Sequence, residues 1–530
     1  MVPNPMRFPK LFMLALIATS AVPSFAAHTG KDARHDISQP LSKMALNFHA
    51  QSGPDQERED AFSTGKDVLN AKSDPVAAPF TRALTGITSN GSFDGQSALD
   101  NRNVLGFAYV PPDTNGAVGD KQYVQMVNVT IAVYDKSSGV ALLGPAPIHT
   151  MWNGFGGPCE NEPFGDGGDP VVLYDQIAKR WLVSQLMYNS SFTQNEQCVA
   201  ISTSSDATGA YNRYEFDWGA DFPDYPKFGV WPDAYYNTVN VYGTKSFKGA
   251  QACAFNRAAM LSGASASYYC TDPLPAYGSL LPASVDGTTL PPAGAANYNL
   301  ALIDATHLGL WRFHFDPVNP ANSSFTGPQL IEVANYSEIC ARAVNVSCIP
   351  QPATGEHLDG LADRLMFRVA YRNFGSYESL VLNHTVKAGD LAGVRWYEIR
   401  NPSSDVKLFQ QGTIVDPNVS YWLASIAQDK VGNMAVGFSA SSKDVYPSVL
   451  FAGRAPTDPA GTMAGPTTMV DGTGAQVNSY HRWGDYSAMT VDPTDDCTFW
   501  YTQEYYSTTS SFNWKTRIGS FRFNNCKNGK

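Results

Sequence analysis

The sequence lacks the short signatures that mark most catalytic and cofactor-binding folds. It has no G-x-S-x-G elbow, H-E-x-x-H helix, G-x-x-x-x-G-K-[ST] loop or C-x-x-C-H site. α/β-hydrolase, zincin, P-loop and c-type haem chemistry are therefore left without their residues. None of the eight cysteines forms a C-x-x-C pair, which argues against zinc ribbons and thioredoxin-like redox motifs. Only nine histidines occur, and His28, His35 and His49 all fall near the N-terminus, which leaves little for a His-rich metal centre. Lys and Arg do not run in blocks, and the formal charge is −11. Nucleic acid and anionic lipid are thus not expected as partners, since both are held by clustered cations. Beyond residue 27 no apolar stretch approaches the ~20 residues that span a bilayer.

What is present begins with an export signal. Arg7 and Lys10 form a positive n-region, Leu11 to Val22 an apolar h-region, and Ser24-Phe25-Ala26-Ala27 a small-residue cleavage site after Ala26 or Ala27. Residues 1–26 are read as a signal peptide and the chain as secreted, periplasmic or extracellular. Without Arg7 and Lys10, 35 basic residues face 48 acidic ones, a net −13. An even number of cysteines in an exported chain suggests disulfides. Neighbours in sequence pair as Cys159–Cys198, Cys253–Cys270, Cys340–Cys348 and Cys497–Cys526, one of the 105 connectivities that eight cysteines allow.

Residues 27–103 are poor in aromatics and rich in Ser, Asp, Ala, Gly and Gln, the composition of a flexible leader or pro-segment. From 104 to 526 short β-branched and aromatic runs alternate with Gly, Pro, Asn and Asp, as in an all-β domain. A turn followed by an apolar strand recurs near Asp113, Asp169, Asp233, a blurred copy at 282–333, Asp363, Trp422 and Asp485. This interval of roughly 50–75 residues is near the long end of propeller blades. Seven four-stranded blades are expected, with six or eight as the alternatives left by the blurred fourth unit. Blades of this size bury enough core for a stable monomer.

Two sets of residues carry a resemblance. Ser204-Ser205-Asp206-Ala207-Thr208-Gly209-Ala210-Tyr211 resembles the Asp-box of sialidase-like propellers, S-x-D-x-G-x-T-W, with one extra residue before Gly and Tyr for Trp. The resemblance implies a structural turn between outer strands. Asp169 to Asp175 with Arg180-Trp181, Phe228 to Asp233, and Arg482 to Tyr486 are similar to a group of exported bacterial β-propeller proteins of largely unassigned activity. That similarity spans about residues 105–525 and speaks to fold more than to chemistry.

The candidate chemistry lies at the blade starts. In a propeller the first strand of each blade lines the central channel, so Asp113, Asp169, Asp233, Asp363 and Asp485 are expected to converge on one mouth. Converging carboxylates suit Ca²⁺, which takes six to eight oxygen ligands, or an acid–base pair; each Asp also suits a turn of its own. Tyr480 to Tyr486 is the densest constellation, from which Arg482, Asp485 and Tyr486 are placed at the mouth and Trp483 in the core. Asp485, Tyr486, Arg482 and Asp233 are the catalytic candidates. A sialidase set would need three arginines and an activated tyrosine. Arg342, Arg368 and Arg482 with Tyr486 or Tyr501 and Glu504 do not reproduce its spacing, and that activity is not assigned. Two readings remain: a propeller that binds a glycan or surface protein at its mouth, or a carbohydrate-active hydrolase or lyase. Aromatics, at 12% of residues, suit sugar stacking and blade packing alike.

Overall fold

The computed structural model describes residues 27–45, 53–57, 74–160, 167–243, 246–340 and 347–527. The expected signal peptide at 1–26 and Arg342 lie outside the described residues. Seven antiparallel blades follow one another along the chain, as the recurring units predict. Blade 1 runs from Asn115–Val118 to Ala141–Pro147, blade 2 from Val171–Asp175 to Tyr211–Gly219, and blade 3 from Phe222–Val230 to Ser267–Thr271. Blade 4 spans Leu281–Asp286 to Ser324–Glu332 and blade 5 spans Met366–Asn373 to Lys407–Val415. Blade 6 runs from Ser420–Gln428 to Ala464–Val470, and blade 7 starts at Ala488–Val491. First strands neighbour one another in order around the ring, and that of blade 7 lies beside that of blade 1.

Burial explains the sequence texture. All nine residues of Phe222–Val230 are buried, as are all nine of Ser420–Gln428, so these inner strands show no alternation of apolar and polar residues, and even Asp224 and Lys227 lie inside. Eight of the ten tryptophans (Trp152, Trp181, Trp231, Trp311, Trp396, Trp422, Trp483 and Trp514) are fully buried, so most of the aromatic content is blade packing. The disulfides join sequence neighbours: Cys159–Cys198, Cys253–Cys270, Cys340–Cys348 and Cys497–Cys526. Cys253 and Cys270 stand directly opposite each other on adjacent strands of blade 3. Asp206 occupies the turn between the two outer strands of blade 2. Its carboxylate accepts from the Thr208 amide at 2.9 Å and from Gln122 of blade 1 at 2.8 Å, and the Tyr211 ring is buried beneath it.

The described stretches of 27–103 are built into the propeller. Ala27–Lys31 pairs with the outer strand of blade 3, Arg34–Ile37 with that of blade 2, and Ala77–Pro79 with that of blade 5. Ile87–Ser97 is the fourth strand of blade 7, antiparallel to Trp514–Phe523. These strands read as a polar leader because backbone hydrogen bonds attach them; most of Ile87–Ser97 is exposed or half-buried. Outermost strands need no apolar run, and pairing them covers edges that would otherwise be free.

Gln125 of blade 1 locks this closure. Its Oε1 accepts from the Gln96 amide at 2.7 Å, and its Nε2 donates to Thr502 Oγ1 at 2.8 Å and Thr516 Oγ1 at 2.9 Å in blade 7. Gln96 returns a bond to the Gln125 carbonyl at 3.0 Å. All of these groups are buried. Gln125→Ala strands the Gln96 amide and is expected to cost roughly 2–4 kcal/mol, seen as a lower urea midpoint; an unchanged midpoint would contradict the lock.

Candidate functional site

The starts of the inner strands share one backbone feature. A residue in the left-handed region recurs there in six blades: Asp113 (φ 48°), Asp169 (φ 48°), Tyr225 (φ 55°), Ser279 (φ 52°), Leu423 (φ 49°) and Gly484 (φ 93°). Asp tolerates this conformation better than most residues. At Gly484 a side chain would also be crowded, because a Cβ would lie 3.0 Å from Glu504 Oε1. The kink turns the chain across the channel and brings side chains of different blades together.

The carboxylates there stitch blades. Asp113 Oδ1 accepts the Asp485 amide of the segment leading into blade 7 at 2.8 Å, and Oδ2 accepts Asn128 Nδ2 at 2.9 Å. The Asn128 Oδ1 in turn accepts the Asp169 amide at 3.1 Å, and Asp169 Oδ2 accepts the Tyr225 amide at 3.0 Å. Four consecutive blades, 7, 1, 2 and 3, are tied by this chain of side chain to backbone bonds. Arg482 pairs with Asp485 and with Asp359, at 3.1 Å to the latter. Asp359 also accepts the Trp483 amide at 3.1 Å, while the Trp483 ring is buried core.

At the centre lies Lys227, which sequence reasoning did not single out. It is fully buried, with Nζ 3.5 Å from the ring centre of Tyr225 and 4.0 Å from that of Tyr486, and it donates to the Pro226 carbonyl at 3.0 Å. Tyr486 donates to the Pro170 carbonyl at 3.1 Å. Arg364 lies over the other side of this group, 4.8 Å from the Tyr225 ring, and pairs with Asp363. A signal for this centre exists in the sequence: Tyr225 follows Asp169 by 56 residues, the same interval that separates Asp169 from Asp113.

Electrostatics divide the group. Burial, then the charges of Asp485 and Asp169, push Asp113 well above the usual carboxylate range. Burial acts on Asp485 in the same direction, but Arg482, Arg364 and Lys227 outweigh it and hold that acid below its ordinary value. Glu504 is pushed well up by burial and by Asp113 and Asp359. Burial also brings Lys227 down to about 8 against the pull of Asp169, Asp485, Asp113 and Asp224. Asp485 Oδ2 and Glu504 Oε1 are buried and have no hydrogen-bond partner among the described residues.

The structure brings together Asp113, Asp169, Arg482, Asp485 and Tyr486, and places Asp363 at the edge of this group beside Arg364. Asp233 does not belong with them. It follows the far end of Phe222–Val230, about 20 Å along the strand from Tyr225, and accepts the Tyr236 hydroxyl at 2.9 Å. The phrase Trp231-Pro232-Asp233 imitates a blade start but is the turn after an inner strand. Nor does the whole sialidase set converge, although Arg482, Tyr486 and Glu504 lie in the central group. Arg368 pairs with Asp286 toward the opposite end of the channel, and Tyr501 donates to Ser487 within blade 7. Among the described residues no three His, Cys, Asp or Glu side chains are grouped to hold a metal ion. The mouth is also covered. A hairpin of Ser347–Ile349 and Leu358–Asp359 packs on His481 to Asp485, and Asp113, Asp169, Lys227, Asp485 and Tyr486 are all buried.

No family model matches this chain, and no curated protein matches it. Among solved structures it is similar to an α-L-arabinofuranosidase from Fusarium graminearum at 8% identity and TM-score 0.33, covering 82% of this chain and 98% of that one. A polysaccharide lyase overlaps 94% of this chain and 100% of its own at 10% identity and TM-score 0.33. A sialidase from Trypanosoma rangeli overlaps 67% and 54% at 10% identity and TM-score 0.26. The propeller assignment rests on the strand pairing itself.

Lys227 provides a pH test. Its folded pKa of about 8 lies below the ordinary lysine value, near 10.4 in the unfolded chain. Between those two values the unfolded chain binds the extra proton, so stability rises with pH. Below pH 8 both states are protonated and the contribution is flat. Relative to Lys227→Met, the wild-type chain is expected to gain stability as pH rises from about 8 to about 10, measured by urea denaturation at each pH. A constant difference across that range would contradict the lowered proton affinity of Lys227.

Proposed function

We propose that this chain is an exported, monomeric β-propeller that binds a glycan or a surface protein at the rim of its channel mouth without turning it over. The observation that carries the reading is the engagement of the mouth carboxylates: Asp113 and Asp169 hold backbone amides of neighbouring blades, and Asp485 is held by Arg482. The usual glycoside hydrolase needs two carboxyl groups free to exchange protons with substrate, whereas Asp113 and Asp169 are engaged with backbone amides of neighbouring blades. Export is supported by the signal-like N-terminus and by four disulfides.

The covered mouth still offers a shallow aromatic edge. Tyr480 is 42% exposed and its ring lies 6.3 Å from that of Phe512. His481 lies beside them and contacts the His357 carbonyl at 3.0 Å and Glu356 at 3.3 Å. An aromatic body with a wet polar tip is the usual equipment for sugar stacking and for protein contacts.

One observation favours a carbohydrate-active hydrolase or lyase as the second reading. Lys227, Asp485 Oδ2 and Glu504 Oε1 form a buried group with shifted proton affinities and two unused acceptors, the kind of cluster found at catalytic sites. Affinity gel electrophoresis over a polysaccharide panel, with assay for released or unsaturated ends, separates the two. The binding reading predicts retardation on one polysaccharide without product, lost in Tyr480→Ala and kept in Asp485→Asn. Product that Asp485→Asn abolishes would establish the enzyme reading and overturn the first.

A further inference from the structure

The hairpin that caps the mouth is fastened by the least buried of the four disulfides. Cys159, Cys198, Cys253, Cys270, Cys497 and Cys526 are each exposed by no more than 2%, whereas Cys340 and Cys348 are only half-buried. Reduction requires a thiolate to reach one sulfur of the bridge, so access ranks disulfides by their lability. The three buried bridges belong to blades 2, 3 and 7, where a reductant meets packed core first.

The accessible bridge touches both strands of the cap. Cys348 is the middle residue of Ser347–Ile349, which pairs with Leu358–Asp359. Cys340 lies eight positions earlier, and its sulfur sits so close to Gly360 that a Cβ there would come within 3.0 Å of it. Apart from the bridge, the two strands share two register pairs, Ser347 with Asp359 and Ile349 with Leu358. A two-stranded ladder this short is marginal in water. Its backbone is also held against preference. Cys340 (φ 54°), Ala353 (φ 56°), Leu361 (φ 40°) and the underlying His481 (φ 65°) are left-handed without being glycine, a state that persists only where neighbours enforce it.

Asp359 wires the cap to the mouth. Its amide donates to the His481 carbonyl at 2.9 Å, and its carboxylate accepts the Trp483 amide and Arg482, each at 3.1 Å. Arg482 in turn holds Asp485. Another part of the cap is tied to the ring separately. Gln351 donates to the Gln476 carbonyl at 2.9 Å and accepts the Gln476 amide at 2.8 Å, while Ser441 donates to the Pro350 carbonyl at 2.7 Å. These bonds do not pass through the bridge and form a hinge.

We propose that the cap is a redox-sensitive cover. A dithiol reductant opens Cys340–Cys348 while the propeller stays folded, and the cap then swings about Pro350 and Gln351 and uncovers Arg482 and Asp485. One thiolate of the reductant attacks a sulfur of the bridge, forms a mixed disulfide and expels the other cysteine as a thiolate, which takes up a proton. The second reductant thiol then closes the reductant's own disulfide and releases the first cysteine. Two electrons and two protons pass from the dithiol to the bridge, and exchange with an oxidised dithiol runs the same steps backward. Such a cover serves a binding mouth and a catalytic one alike.

Graded dithiothreitol treatment of the purified chain, with freed thiols trapped by iodoacetamide and located by peptide mapping, reads the order of reduction. Cys340 and Cys348 are expected to be alkylated first, with the other six cysteines unmodified and the far-UV circular dichroism unchanged. Hydrogen exchange of that partly reduced chain is expected to be about tenfold faster or more over residues 347–361 and at the Trp483 amide. The inner strands of blades 2 and 3 are expected to keep their protection. The double variant Cys340→Ser, Cys348→Ser is expected to show the same faster exchange with no reductant present. First reduction at another bridge, reduction only as the fold is lost, or unchanged exchange over residues 347–361 once Cys340 and Cys348 are free would each overturn the proposal.

Discussion

A ring of sheets stands only if its last sheet is held to its first, and here that junction is made by chain from opposite ends of the sequence. Ile87–Ser97 supplies the outer strand of a blade whose other three strands end at Phe523. Gln125 then couples that blade to blade 1 through buried amide and hydroxyl groups. A buried amide without a partner costs more than a made bond contributes, so the junction is specified by hydrogen bonding as much as by apolar contact. Further N-terminal strands lie on the outer edges of blades 2, 3 and 5, covering backbone groups that could otherwise template aggregation.

The same economy governs the channel. Seven inner strands converge and bring acidic side chains within reach of one another, a costly arrangement unless charges are paired or neutralised. Arg482 and Arg364 beside Asp485 hold that acid ionised, while Asp113 and Glu504 are driven toward their protonated forms. Lys227 lies between two phenolic rings at the centre of this set. The mouth residues are therefore explained first by the need to hold four blades in register.

Much of the architecture could be read from the chain. Seven turn-and-strand units, sequence-neighbour disulfides and the Asp206 turn all have local causes, namely β-branched runs, short loops and Asp side chains that take up nearby amides. Three features were not legible, each for a physical reason. The N-terminal strands are attached by backbone bonds and carry no apolar pattern. Asp233 sits in a Trp-Pro-Asp turn chemically like the blade starts but at the other end of its strand. Lys227 is a lone cation in a Pro-Lys-Phe run, and its importance arises only when Asp169, Asp485 and Tyr486 close on it from other blades. The burial of Trp483 and the pairing of Arg482 with Asp485 follow from residue type and short separation.

The central claim is that the N-terminal strand and the mouth carboxylates are parts of one closed, hydrogen-bonded ring. Amide hydrogen exchange of the purified chain, followed by mass spectrometry, tests this most directly. The account predicts that peptides covering Ile87–Ser97 and the Asp485 amide are protected to the same order as the inner strands of blades 2 and 3. Exchange of Ile87–Ser97 within seconds, at the rate of an unstructured leader, would contradict it.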